Sequence, residues 1–341
     1  MHASASDIAP GRIETFSGVR PDLSPPEPGE PLDIRVIGVG GGGCNVVTRL
    51  LGEGLAVGDV WALNTDAQHL LGTRAHHKLL LGRHICRGRG ANSDPHVGEL
   101  AAEEARLELA EALKGARLAF LFAGLGGGTG SGSTPIIAKV AREARTTTVA
   151  LVTQPFSVEG RVRLENARSS LDRLRANADF VSVFPNDRLV RDHPGLSLRD
   201  GLRKADEELF RPVRALYRVA RREDFSRLRR RLRGTTASGA ASGVAPRQRG
   251  YPLAMERALE SLSYLKAQEP NSAVVVMGTG GDLNASERDT MLRMALDALS
   301  ADGAILWGYY DDPRLAGTCE VSVFMARAAG PGAEKELESV E

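Results

Sequence analysis

Two glycine-rich clusters constrain this sequence more than any other feature, because each one directly follows a run of apolar residues. The first is GVGGGGCN (38–45), the second is GLGGGTGSG (124–132), and a helical pattern follows each of them. Glycine allows the backbone to approach a ligand closely and to point several N–H groups at one anion. The N-terminus of the following helix adds partial positive charge. The two clusters therefore predict two turns that bind phosphate groups.

From residue 33 onward, short apolar runs alternate with amphipathic segments, which is typical of a parallel sheet covered by helices on both faces. In this α/β fold class ligands bind at the carboxyl ends of the strands. Both glycine turns are therefore expected at one edge of the sheet, where together they suit a triphosphate. The predicted strands are 34–39, 60–63, 78–81, 118–122, 147–152 and 180–184, and the predicted helices lie near 45–53, 97–114, 133–145 and 161–176.

The rest of the chain predicts a second, smaller α/β domain joined to the first by a long central helix. Its helices are expected near 251–268 and 286–300, and its strands at 273–278, 304–310 and 321–327. Six of the 17 prolines precede residue 32, which favours a disordered tail there. The predicted divisions are the tail (1–31), the larger domain (32–197), the central helix and the loop after it (198–233), a flexible Gly/Ala/Ser-rich loop (234–250), the smaller domain (251–328) and a polar tail (329–341).

Composition argues against several classes of protein. With 44 basic and 43 acidic residues the net charge is +1, which does not favour nucleic acid as a partner. There is no run of about 18 apolar residues and no visible secretory signal, so a cytoplasmic location is expected. The three cysteines are far apart, and His69, His76, His77 and His84 lack the spacing of metal ligands, so no metal site built from protein side chains is expected.

The first cluster alone leaves two kinds of ligand open. Gly38-x-Gly40-x-x-Gly43 fits the fingerprint of dinucleotide-binding proteins, so a dehydrogenase that uses NAD is one alternative. That alternative expects an acidic residue at the end of the second strand, where this chain has Asn64, and it leaves the second cluster unexplained. Neither cluster has the lysine of a Walker-type loop, so backbone N–H groups, helix N-termini and Mg²⁺ must balance the phosphate charge.

Six motifs, in order along the larger domain, resemble the sequence of the tubulin/FtsZ family. GGGTGSG (126–132) resembles the signature loop of that family, and IRVIGVGGGGCN (34–45) resembles its first nucleotide loop. The resemblance implies a GTPase of the prokaryotic division apparatus that binds GTP or GDP with Mg²⁺ and assembles head to tail into filaments. The other four motifs are ALNTDAQHL (62–70), RGRGANSDPHVG (87–98), TQPFSVEGRVR (153–163) and FPNDRLV (184–190).

The same resemblance implies partners and a location. The filaments would consist of copies of this chain, alone or with a second protein of the FtsZ type, in the cytoplasm and after recruitment to the division site. A membrane-anchor protein is a further expected partner. The polar residues 329–341 do not resemble the peptide that binds such anchors in the family.

The resemblance also assigns residues to parts of the nucleotide. Asp206 would accept hydrogen bonds from the guanine N1–H and 2-amino groups, whereas adenine presents a different edge, and Asn186 would contact the base from the other side. Leu202 stands where the family has an aromatic residue that stacks on guanine. The remaining assignments are Gly41, Gly42, Gly43, Cys44 and Asn45 for the α- and β-phosphates, Gly127, Gly128, Thr129 and Gly130 for the β- and γ-phosphates, and Glu159 and Arg163 for the ribose and base.

Glu159, Arg163 and a further residue that the resemblance places near the site, Asp66, have simpler interpretations as well. Glu159 and Arg163 lie four residues apart at the start of a predicted helix, where they would also form an ordinary surface salt bridge. Asp66 would act near the phosphates through Mg²⁺ or water, or it would only cap the helix that follows it.

In the family, a loop of the form Asn-x-Asp-x-x-Asp from the neighbouring subunit completes the hydrolytic site, because its carboxylates orient the attacking water. Here Arg222 and Arg227 replace the Asn and the second Asp, and Asp224 is the matching catalytic residue. A shift of one residue would bring Glu223 into play instead. Arginine stays protonated and cannot act as a base, so a non-hydrolysing GTP-binding structural or regulatory protein is the alternative hypothesis.

The stretch 211–233 contains ten arginines and only two acidic residues. Three interpretations stay open for it. It is a solvated helix face, a subunit contact that faces the next nucleotide, or a patch for nucleic acid or anionic lipid.

Overall fold

A computed structural model describes residues 12–17, 19, 30–52, 59–192, 195, 197–233 and 237–327. The strands are β1 (Ile13–Thr15), β2 (Ile34–Val39), β3 (Asp59–Asn64), β4 (His77–Leu80), β5 (Leu118–Gly124), β6 (Thr147–Gln154), β7 (Phe180–Pro185), β8 (Ser238–Pro246), β9 (Ser272–Thr279), β10 (Ala304–Asp311) and β11 (Thr318–Ala326). The α-helices are α1 (Gly40–Gly52), α2 (Ala67–Gly72), α3 (Pro95–Glu104), α4 (Arg106–Leu113), α5 (Gly128–Glu143), α6 (Arg161–Arg175), α7 (Asn186–Asp192), α8 (Leu198–Val219), α9 (Phe225–Leu232), α10 (Pro252–Ser261) and α11 (Ala285–Asp297). No helix within the described residues is long and apolar enough to span a membrane.

The chain divides into a larger unit (33–213) and a smaller unit that combines residues 1–32 with 214–341. The larger unit is built on a six-stranded sheet with the order β4-β3-β2-β5-β6-β7, and every neighbouring pair is parallel. The expected parallel α/β sheet is confirmed, and each of the six predicted runs overlaps one of its strands. The single helix predicted near 97–114 is instead two helices, α3 and α4, which meet at Ala105.

Strand register brings the turns after the strands to one edge of this sheet. Val39, the last residue of β2, pairs with Leu63 of β3 on one side and with Ala123 of β5 on the other. Ala123 pairs in turn with Val152 of β6, next to the end of that strand. Because the strands are parallel, α1, α2 and α5 all begin just beyond the same carboxyl edge.

The smaller unit contains a five-stranded mixed sheet with the order β1-β10-β9-β11-β8. Strands β1, β10 and β9 run parallel, whereas β11 is antiparallel to both β9 and β8. Its predicted strands and helices are present, with helix α10 ending at Ser261 and a 3-10 helix covering Ser263–Gln268.

The prediction of a flexible loop at 234–250 is wrong for the described part of that segment, which forms strand β8. Ser238–Pro246 pairs along its whole length with β11. Its small side chains have a packing reason, because a Cβ added at Gly243 would lie 1.9 Å from the carbonyl oxygen of Ala254 in α10. A segment rich in glycine, alanine and serine is therefore typical of a loop, but also of a strand against which a helix packs closely.

The prediction of disorder over 1–31 is also wrong for the described residues of that range. Ile13–Thr15 forms the edge strand β1, and backbone hydrogen bonds join Ile305 to Arg12 and Phe16 to Trp307. The ring of Phe16 is 1% exposed and packs over Gly308 of β10. This strand has three residues, of which only Ile13 is apolar, and it lies in a proline-rich segment, so its sequence gives little signal.

Candidate functional site

The two glycine turns lie side by side, because β2 and β5 are neighbours in the sheet. A Cβ added at Gly40 would lie 3.0 Å from the backbone nitrogen of Gly130, and one added at Gly42 would lie 3.1 Å from that of Gly124. Gly40 also has a φ of +67°, which favours glycine. The structure therefore brings both predicted phosphate turns to one place.

The predicted phosphate glycines fall into two groups by contact. Gly43 and Gly130 are buried, and an added Cβ would lie 2.1 Å from the oxygen of Phe122 and 2.2 Å from that of Gly124, so their smallness lets α1 and α5 approach β5. Gly128 is also buried, with an added Cβ 2.8 Å from Ala91. The residues with exposed or half-buried surface are Gly41, Gly42, Asn45, Gly127 and Thr129.

Cys44 does not present its side chain to this edge. Its sulfur is buried and lies 3.9 Å from the carbonyl oxygen of Gly38 and 3.8 Å from that of Leu63. Burial raises the pKa of the Cys44 thiol to about 11. The thiol is therefore neutral at physiological pH, and only the backbone N–H of Cys44 is a candidate phosphate donor.

Asp66 caps helix α2, as the simpler of its two interpretations predicts. Its carboxylate accepts a hydrogen bond from the His69 backbone N–H at 3.0 Å. The neighbouring Thr65 hydroxyl lies 2.6 Å from the Thr129 hydroxyl, which connects the end of β3 to the second glycine turn. Among the described residues no group of three or more His, Cys, Asp or Glu side chains could hold a metal ion.

Glu159 and Arg163 form the salt bridge that their spacing predicts, at 2.6 Å. Glu159 also accepts a hydrogen bond from the backbone N–H of Phe156 at 2.8 Å. The Arg163 guanidinium lies 3.7 Å from where a Cβ would stand on Gly127, beside the second glycine turn. The pair is therefore a surface salt bridge that also adjoins the predicted phosphate site.

Asn186 follows β7 at the carboxyl edge and is 7% exposed. Its side-chain oxygen is buried without a hydrogen-bond partner among the described residues. An unsatisfied buried amide oxygen is costly, so this atom suits a ligand that supplies a donor.

Asp206 lies on α8 and pairs with Arg49 of α1 at 3.1 Å. Burial raises the pKa of Asp206 to about 6, and the Arg49 guanidinium opposes that shift. Leu202, one turn earlier on the same helix, is 43% exposed. Arg49 is not among the residues predicted from the sequence. The signal that points to it is its place in the last turn of the helix that begins at the first glycine turn.

Asp224 lies in the smaller unit, and its surroundings are not those expected of a group that binds water. Its side chain is fully buried. One carboxylate oxygen accepts hydrogen bonds from Ser17 N at 2.8 Å and from Arg227 at 2.5 Å, and the other accepts one from Arg221 N at 3.1 Å. These contacts support a structural role, and the catalytic role of Asp224 stays a prediction.

A parallel sheet with two glycine-rich helix N-termini at its carboxyl edge is the architecture of phosphate-binding α/β proteins. The family model that matches residues 33–193 is that of the Tubulin/FtsZ family, GTPase domain. Cell division protein FtsZ 1 of Archaeoglobus fulgidus is 36% identical over 304 residues, covering 87% of this chain and 83% of the relative. The chain belongs to the Tubulin/FtsZ family.

Further comparisons agree with this assignment. Cell division protein FtsZ 1 of Thermococcus kodakarensis is 35% identical over 314 residues, covering 90% of this chain and 84% of the relative. Among solved structures, an empty FtsZ dimer of M. jannaschii is similar with a TM-score of 0.80 and 32% identity, covering 88% of each chain. The expectation of a tubulin/FtsZ-like fold is confirmed.

Proposed function

We propose that this chain is a GTP-binding cytoskeletal protein of prokaryotic cell division that assembles head to tail and hydrolyses GTP at the contact between subunits. The main support is the pair of adjoining glycine turns at the carboxyl edge of the larger unit, within a match to the Tubulin/FtsZ GTPase domain. Relatives over most of the chain are named cell division proteins, which supports the biological role.

The exposed and half-buried turn residues would bind the phosphates through backbone N–H groups, and the Thr129 hydroxyl would add a donor at the γ-phosphate end. The carboxylate of Asp206 would accept hydrogen bonds from the guanine N1–H and 2-amino groups, and the unsatisfied oxygen of Asn186 fits a second donor of the base. This combination selects guanine over adenine because a carboxylate suits a pair of donors.

Mg²⁺ fits this site only as an ion that the nucleotide brings with it. The described residues offer no cluster of three ligands, whereas Mg²⁺ in nucleotide sites keeps several waters and binds mainly to phosphates. Bound in that way, Mg²⁺ would neutralise part of the phosphate charge. The Asp66 carboxylate accepts a hydrogen bond from a backbone N–H and would contact the ion at most through water.

Assembly is supported by apolar side chains near the same edge of the larger unit. Leu71 on α2 is 78% exposed, Val158 beside Glu159 is 91% exposed and Val162 on α6 is 70% exposed. Exposed apolar residues mark protein contacts where they form a contiguous patch with a polar rim. A head-to-tail contact over this edge would be heterologous and would produce open filaments.

The alternative, a GTP-binding protein of the same family that does not hydrolyse GTP, is favoured by one observation. The carboxylate that matches the family's catalytic position, Asp224, is buried and bonded to Arg227. Both hypotheses require GTP binding, and only the first requires phosphate release. A structural protein of the alternative kind would still assemble with GTP, whereas a regulatory one would bind GTP without assembling alone.

The experiment that tests the shared part measures binding of GTP, ATP and NADH to nucleotide-free protein by calorimetry, followed by sedimentation with each nucleotide. Selective binding of GTP and pelleting only with GTP would support the proposal. Binding of NADH without GTP would instead support the dehydrogenase alternative. No binding of any nucleotide would contradict both.

A further inference from the structure

The N-terminal residues of this chain are built into the smaller unit beside the loop that follows α8. We define the N-terminal strap as residues 12–17 with Glu30 and Pro31, and the arginine loop as residues 221–227. Strand β1 fixes the strap to β10, and Arg12 donates a hydrogen bond to the Gly303 carbonyl oxygen at 2.7 Å. Residues 12–17 of the strap therefore have an attachment that is independent of the loop.

The strap also forms hydrogen bonds with Arg222 and Arg227, the two residues of the arginine loop that replace the family's Asn and second Asp. Arg227 donates to the Thr15 carbonyl oxygen at 2.9 Å and to the Ser17 hydroxyl at 2.6 Å, besides its salt bridge with Asp224. Arg222 forms a salt bridge with Glu30 at 2.7 Å, and its backbone N–H donates to the Glu30 carbonyl oxygen at 3.0 Å. Strap groups thus neutralise or bind both arginines.

The same contacts between the strap and the arginine loop occupy the carboxylate of Asp224. Two of its three hydrogen bonds come from the Ser17 backbone N–H and from Arg227, and its side chain has no exposed surface. A buried carboxylate with these partners could reach a water molecule only after the strap and loop separate. Its position fits an anchor for the strap.

Glu223 differs from Asp224 in every one of these respects. It is exposed, and it has no hydrogen-bond or ion-pair partner among the described residues. Helix α9 begins within the arginine loop, at Phe225, and adds Arg230, which is exposed, and Arg229, which is partly exposed. Their positive charge would attract phosphate groups and reduce the repulsion between a phosphate and the Glu223 carboxylate.

We propose that the strap and the arginines have exchanged the roles of the two carboxylates, so that Asp224 is the anchor and Glu223 is the catalytic residue presented to the nucleotide of the next subunit. This inference rests on the proposed function. The Glu223 carboxylate would then lie at the contact between subunits although that of Asp224 is buried. Arg222 and Arg227 would hold the loop in place and would take no part in the reaction.

The reaction then balances with groups that are present. The oxygen of a water molecule held by Glu223 bonds to the γ-phosphorus, and the bond from that phosphorus to the bridging oxygen breaks. GDP leaves with the electron pair of that bond, the Glu223 carboxylate takes one proton of the water, and it releases that proton to solvent. The products are GDP and inorganic phosphate, and no further reactant is required.

The test compares full-length wild type with Glu223→Gln, Glu223→Asp and a matched control, Glu256→Gln, which changes an exposed glutamate of α10. GTP binding, pelleting with GTP and phosphate release are measured on the same samples. Glu223→Gln is expected to lose about 100-fold or more in phosphate release with binding and pelleting retained. Glu223→Asp is expected to keep part of the rate, and Glu256→Gln all of it.

Phosphate release by Glu223→Gln at the wild-type rate would overturn the assignment while leaving the proposed function intact. Pelleting of the wild type with GTP but without any release would overturn the assignment together with the hydrolytic part of the proposed function, and would leave GTP binding and assembly. Failure of the wild type to bind GTP would instead remove the proposed function itself, and this assignment with it.

Asp224→Asn separates the two carboxylates by a second measurement. As an anchor, Asp224 is expected to matter for stability, so this variant should lower the unfolding temperature and expose the strap to protease. An unchanged unfolding temperature together with a selective loss of phosphate release would show that Asp224 is the catalytic group and would overturn the assignment to Glu223.

Discussion

Among single residues, Gly41 and Gly43 of the first glycine turn have different roles although only one residue separates them. Gly43→Ala is expected to cost about 2–3 kcal/mol or more in unfolding free energy, because the new Cβ would lie 2.1 Å from the Phe122 carbonyl oxygen. Gly41→Ala is the matched control, since its Cβ would meet only His69 Nε2 at 3.8 Å. Chemical denaturation measures both variants.

The Gly41→Ala control has its own expected effect on ligand binding. Gly41 is exposed at the first glycine turn, so a methyl group there would keep phosphate from the backbone N–H groups. GTP affinity should fall about tenfold or more while the unfolding free energy stays within about 0.5 kcal/mol of wild type. Equal stability losses in both alanine variants would contradict this division of roles.

Asp206 gives the proposed GTP site a pH dependence. Burial raises its pKa to about 6, so in the folded protein its carboxyl group is protonated below that pH and ionised above it. The guanine N1–H and 2-amino groups need the ionised acceptor. GTP affinity should therefore be maximal above pH 6 and fall by up to about tenfold per pH unit below it.

Calorimetric titration from pH 5 to 8 measures this dependence. The nucleotide phosphates also take up protons in this range, so Asp206→Asn is the control for their contribution. The variant should bind GTP more weakly at pH 7 and show a flatter profile. A profile that is identical in wild type and variant would remove Asp206 from the base contact.

Among the elements, strand β1, which is part of the strap, is held in place partly by one buried ion pair. Glu14 bonds to Arg231 of α9 at 2.7 Å, and the arginine side chain is only 11% exposed. Burial lowers the pKa of Arg231. Glu14→Ala leaves this buried cation without its carboxylate partner and should cost about 1–3 kcal/mol in unfolding free energy.

Glu111→Ala is the matched control for that prediction. Its partner Lys114 is 74% exposed and Glu111 itself is 73% exposed, so this pair contributes less than about 1 kcal/mol. Urea denaturation compares the two variants. If both alanine substitutions cost the same, the pair between Glu14 and Arg231 does not hold the strap.

Strands with a long run of apolar residues can be predicted from the sequence, and strands without one cannot. The strands at 34–39 and 118–122 are long apolar runs followed by glycine clusters, and both lie where predicted. Strand β8 is built from glycine, alanine and serine because α10 lies close to it, so its composition resembles a loop. Strand β1 has three residues and is defined by its pairing with β10, which local sequence cannot report.

The candidate site likewise contains residues that the sequence can place and residues that it cannot. Motif order places the two glycine turns, Glu159 and Arg163 at one edge, and the structure brings them together. The burial of the Cys44 sulfur and of Asp224 depends on contacts with residues distant in sequence, such as Leu63 and Ser17. Sequence spacing carries no information on such contacts, so the side chains that face inward were not distinguished from those that face the ligand.

For the molecule as a whole, the proposed function requires that the GTP site of one subunit be completed by another. The decisive measurement is phosphate release per subunit across a range of protein concentrations with GTP. We expect almost no turnover below a threshold concentration and a steep rise above it, at the concentration where the protein begins to pellet. Turnover per subunit that is independent of protein concentration would rule out a shared site, because the site would then be complete within one chain.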